Sequence, residues 1–148
     1  MLDQVYNNRI LALAADIPRL GRLQAPDGSA TVRSKLCGST VTVDVKMAEG
    51  KVADFAHDVK ACALGQASSS IMARHVIGAS GEELRAVRDL VRRMLKENGP
   101  PPAEGEAWED IRVLEPVRDY KARHASTLLT FEAVVEAIEK AEAARAAA

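Results

Sequence analysis

Residues 39–62, "STVTVDVKMAEGKVADFAHDVKAC", decide the fold. Val41, Val43, Val45 and Met47 alternate with Thr40, Thr42, Asp44 and Lys46; after Glu49-Gly50, Ala53, Phe55, His57 and Val59 resume the same period. Side chains of a strand point alternately to its two faces, so a period of two marks half-buried strands, and Glu-Gly between two such runs marks a hairpin turn. On the amino-terminal side, Val32, Ser34 and Leu36 alternate with Thr31, Arg33 and Lys35 and lead into Cys37-Gly38-Ser39. The stretch therefore predicts an antiparallel meander of three strands.

Helical periods flank the meander. Leu2, Tyr6, Ile10 and Leu13, with Asp3 near the start and Pro18 past the end, predict an amphipathic helix over residues 3–15, and "RLGRLQAPDGSA" at 19–30 reads as a loop. Beyond Cys62, Leu64, Ala67, Ile71 and His75 share one stripe, with Gly78 as the stop. Ser80 followed by Glu83 forms a capping box for a helix whose Leu84, Val87, Leu90, Val91, Met94 and Leu95 make a continuous apolar face. Its charged face, "EELRAVRDLVRRMLKE" at 82–97, is expected to stay solvated. "NGPPPAEGEAWED" at 98–110 is a loop with Trp108 as a local anchor, and "IRVLEPVRDYKARHAS" at 111–126 is irregular. Leu128, Phe131, Val134, Val135 and Ile138 mark a last helix, and the tail "AEAARAAA" is expected to fray. This order is α+β: a three-stranded antiparallel sheet with helices packed on one face, in a single domain over residues 1–148.

Composition narrows the function. The chain of 148 residues is 47% apolar with a formal net charge of -1, which excludes disorder and a polyanion-binding surface, so nucleic acid is not an expected partner. The amino terminus lacks a basic leader, and no run reaches the ~18 apolar residues of a membrane span; the reading is a cytoplasmic protein without a membrane partner. Two cysteines in such a chain are read as thiols.

Cys37 lies between the first two strands and Cys62 lies where the third gives way to a helix, so the hairpin brings both junctions to one end of the sheet. Two readings stand: small buried hydrophobes, or thiols for metal and sulfur chemistry, with Cys62 near a helix amino terminus that favours the thiolate. A disulfide switch between them is a third. His57 reads as a satisfied strand residue and His75 as a helix-terminal cation. Ser68, Ser69 and Ser70 lack a Gly-x-Ser-x-Gly elbow and read as small residues for close helix packing.

The words within this order resemble the U-type iron-sulfur cluster assembly scaffolds, the family of the NifU N-terminal domain. "YNNRILALAADIPRLG" at 6–21 resembles the opening helix and loop, and "KLCGSTVTVDVKM" at 35–47 the first cysteine hairpin. "KACALGQASSSIMA" at 60–73 resembles the second cysteine motif, and "ARHASTLLTFEAVVEAI" at 122–138 the segment of the third cysteine and last helix. The resemblance implies a scaffold or carrier rather than an enzyme. It would hold an iron-sulfur cluster, iron or, in some branches, zinc through three cysteines and an aspartate. It also implies a cysteine desulfurase and cluster acceptor proteins as partners. Residue by residue, Cys37 and Cys62 are retained, Ser39 stands where the aspartate is expected, and Ser126 stands where the third cysteine is expected. Serine hydroxyls are poor replacements, because they must lose a tightly held proton to become anionic donors. His124 is either a third ligand or an exposed histidine at a helix start. A monomer with a reduced ligand set, a homodimer pooling four thiols, and a cluster-free adaptor for a desulfurase are the forms the scaffold could take.

Overall fold

The meander is present, and its details follow from local chemistry. The computed structural model describes residues 6–147. Strands β1 (Gly28–Arg33), β2 (Thr40–Ala48) and β3 (Lys51–Lys60) pair antiparallel in the order β1-β2-β3. Glu49 and Gly50 both take positive φ, 54° and 76°, the hand that a two-residue hairpin requires. The register opposes Val43 to both Ala30 and His57 and Val45 to both Gly28 and Phe55, so these residues share the inner face.

Two strand expectations are corrected. β1 begins at Gly28 and ends at Arg33, so residues 28–30 leave the expected loop; Leu36 is exposed, while Ser34 is buried inside the link to β2. In β3 a bulge pairs Lys46 with Asp54 but Met47 with Val52. The extra residue reverses the side-chain parity, so Val52 is buried and Ala53 is exposed.

Helices cover the inner face. α1 (Asn8–Ala15) starts where the Asn7 side chain accepts the Ile10 amide at 3.0 Å, so the expected helix is shorter at its start; its Leu2 and residues 3–5 lie outside the described residues. α1 packs on α2 (Ala63–His75), and α3 (Gly81–Lys96) packs on α4 (His124–Ala147), which lies across β1 and β2. Ser80 accepts the Glu83 amide at 3.1 Å, but the Glu83 carboxylate accepts Trp108 Nε1 at 2.8 Å, so half of the capping box serves to anchor the buried Trp108. The charged face of α3 stays solvated, as expected, and also reaches α4 through Arg85 with Glu139 and Glu142 and through Arg92 with Glu132. Residues 109–119 are a 3-10 helix containing Pro116, not an irregular stretch. Helical geometry in α4 extends to Ala147; Ala141 is still buried, and the exposed alanines beyond it have high helix propensity.

The outer face of the sheet is crossed by the 19–27 loop. The Gly21 amide donates to the His57 carbonyl at 2.8 Å along the β3 edge. The Asp44 carboxylate, fully buried, then accepts Arg22 Nε at 2.7 Å, Arg22 Nη2 at 3.0 Å, the Leu23 amide at 3.0 Å and Ser29 Oγ at 2.6 Å. One buried anion thus pins the loop to the sheet.

Candidate functional site

Arg33 pairs with Thr40 and Thr40 with Lys60, so the β1–β2 link and the β3–α2 junction end at the same edge. In the link, the Ser34 amide donates to the Ser39 carbonyl at 2.8 Å and the Gly38 amide to the Ser34 carbonyl at 2.9 Å, with Gly38 at φ 72°. This small closed loop holds Cys37 at its exposed tip. Cys37 Sγ lies 3.4 Å from Ser34 Oγ and 3.0 Å from Ser39 Oγ. Hydrogen bonds from Ser34 and then Ser39 favour the anion, and the Cys37 thiol is held below its ordinary range.

Cys62 is the residue before α2, half-buried, and its side chain does not cap the helix. Its Sγ lies 3.6 Å from Ser126 Oγ in the first turn of α4, and Ser126 Oγ also donates to the Arg123 carbonyl at 3.2 Å. The two segments of the contact come close because residue 65 is glycine: a Cβ there would stand 2.7 Å from Ala61 Cβ and 3.2 Å from the Ser126 carbonyl oxygen. The four positions singled out by resemblance therefore form two pairs, Cys37 with Ser39 and Cys62 with Ser126.

His124 does not join them. The ring is buried, not exposed, and Nε2 donates to the carbonyls of Val117 at 3.1 Å and Arg118 at 3.0 Å. Among the described residues, no group of three His, Cys, Asp or Glu side chains is placed to hold a metal ion. His57 is fully buried; burial depresses its imidazole pKa, and Nε2 donates to the Pro18 carbonyl at 2.8 Å. His75 Nε2 pairs with Asp110 at 2.8 Å beside the Trp108 ring. Ser68, Ser69 and Ser70 are fully buried in α2, as packing residues would be. Ser34 was missed as a site residue, because it reads as an inward strand position; the signal was a serine three residues before a cysteine in a tight link.

A model of the NifU-like N terminal domain matches residues 5–127. The chain belongs to that family. The NifU-like fold is also that of the crystal structure of a nitrogen-fixing NifU-like protein (N-terminal) from Brucella abortus, with a TM-score of 0.92 and 63% identity over 96% of this chain and 97% of that one. An iron-sulfur cluster assembly scaffold protein IscU of Thermotoga maritima is 25% identical over 95% of this chain and 96% of its own length. Another IscU, of Streptococcus pyogenes serotype M1, is 35% identical over 70% of this chain, which spans 64% of that relative. No described helix of this NifU-like chain is long and apolar enough to cross a membrane.

Proposed function

We propose that this chain is an iron-sulfur cluster assembly scaffold or carrier, acting as a binding protein rather than an enzyme, in the cytoplasm, with a cysteine desulfurase and cluster acceptors as partners. Iron or a labile iron-sulfur cluster is its cargo. The observation that carries the reading is the Cys37 thiol, exposed and biased toward the thiolate by Ser34 and Ser39, at the sheet edge that also ends in Cys62.

The donor set fits a transient cargo better than a resident ion. Tetrahedral iron or zinc takes four donors, and thiolates are the anionic ones this edge offers. Cys37 and Cys62 supply two; the hydroxyls of Ser39 and Ser126 are neutral, and the remaining positions fall to sulfide, a partner's side chain or a second copy. Weak ligation suits release to an acceptor. Anaerobic reconstitution with iron and sulfide is expected to give visible charge-transfer absorption that Cys37→Ala or Cys62→Ala abolishes. Unchanged absorption in both variants would sink the reading.

The substituted pair, Ser39 and Ser126, also supports a second reading, a cluster-free adaptor that keeps the scaffold's surface for the desulfurase. Capture of a desulfurase by protein that carries neither metal nor acid-labile sulfide after purification without air is the result that selects it.

A further inference from the structure

We infer that the cavity between the end of α3 and the entry to α4 binds a small multivalent oxyanion of the phosphate class. The cavity measures about 490 Å³ and is lined by Lys96, Asn98, Arg118, Asp119, Lys121 and His124. That volume lies within the usual span of small-molecule sites. The chain as a whole carries a net charge of -1, so three cationic side chains around one cavity invert the local sign.

Both lysines are available. Lys96 and Lys121 are exposed and enter no ion pair among the described residues. Arg118 Nη2 is partly engaged, with the Gly99 carbonyl at 2.9 Å and Glu115 at 3.1 Å, and its Nε is buried away from the cavity, so the two lysines carry most of the free charge. On the floor, the His124 ring bonds the Val117 and Arg118 carbonyls and ties the 3-10 segment to α4. Opposing charge is also present: the Asp119 carboxylate lines the cavity, Glu115 neutralises part of Arg118, and the carboxyl end of α3 adds negative partial charge. A monovalent anion gains little against that background. A ligand with several charges and several acceptor oxygens can engage both lysines and the guanidinium together. Neither Cys37 nor Cys62 lines the cavity, so the inference stands apart from the cluster reading.

Titration calorimetry of the full chain with pyrophosphate at fixed ionic strength tests it, with ADP as a second arm. Pyrophosphate is expected to bind, and Lys96→Gln with Lys121→Gln to weaken it by about tenfold or more, since hydrogen bonds to charged groups are the strong ones. Lys51→Gln with Lys140→Gln removes the same charge away from the lining and should leave binding unchanged. ADP binding with the same variant pattern assigns the oxyanion to a nucleotide; pyrophosphate binding without ADP assigns it to inorganic phosphates. No heat with either anion, or equal weakening by both variant pairs, overturns the inference.

Discussion

Cys62 Sγ and Ser126 Oγ stand 3.6 Å apart although 64 residues separate them in the chain. Two sulfurs on one tetrahedral zinc at ~2.3 Å are about 3.8 Å apart, so the contact already has the spacing of a ligand pair. What it lacks is the second thiolate. Ser126→Cys together with Ser39→Asp is therefore expected to create a site of three thiols and a carboxylate with tight zinc or cobalt binding. Cobalt titration would show thiolate charge-transfer bands at one equivalent; a double variant that binds no more tightly than the parent would mean that the two pairs do not face one centre.

The Cys37 thiolate is favoured by Ser34 and Ser39, both of which are buried while Cys37 is an exposed residue. Removing either hydroxyl takes away a hydrogen bond to the anion. In a Cys62→Ala background, Ser34→Ala and Ser39→Ala should each shift the pH profile of Cys37 alkylation upward and slow the reaction at neutral pH. An unchanged profile in both would show that the hydroxyls do not tune the thiol.

How far the sequence was legible follows from which interactions are local. The β2–β3 hairpin could be read because alternation and a two-residue turn lie within one short stretch, and α3 because its apolar face repeats along one helix. The bulge at Val52 was not legible: a shift of one residue leaves no mark in the alternating pattern, and it decides whether Val52 or Ala53 is buried. Nor was the pairing of Arg85 with Glu142, since it joins residues 57 positions apart across two helices. At the site, the resemblance named Cys37, Ser39, Cys62 and Ser126, whereas Ser34 and the burial of His124 depend on how the links fold back.

Gly28 lies directly against the backbone of α4. A Cβ there would stand 2.0 Å from the Ala137 carbonyl oxygen and 2.8 Å from the Ala141 amide nitrogen, both backbone atoms that cannot rotate away. Gly28→Ala must push β1 from the helix and should cost roughly 1–3 kcal/mol, the usual range for overpacking. Urea denaturation at neutral pH measures this. Gly21, with nothing within reach of a Cβ, differs in kind: its φ of 130° makes Gly21→Ala a test of backbone strain rather than packing.

Acid should lower the protein's stability over two separable pH windows. Burial depresses the His57 imidazole, although the Pro18 carbonyl opposes it, so the folded state resists protonation more than the unfolded state does. Stability from this source is present above about 6.5, the ordinary histidine value, and is lost as pH falls from there through the lower folded value. Burial pushes the Asp44 carboxyl up, but Arg22, Ser29 and the Leu23 amide outweigh it and the net shift is down. Its contribution is present above about 3.9 and is lost as pH falls through the folded value below that. His57→Gln should remove the first loss and leave the second. Asp44→Asn should remove the second and, by weakening charge-assisted hydrogen bonds to a buried acceptor, cost about 2 kcal/mol at neutral pH. Urea midpoints on both sides of each pH window distinguish the two, and a profile that neither variant alters would assign acid unfolding to other groups.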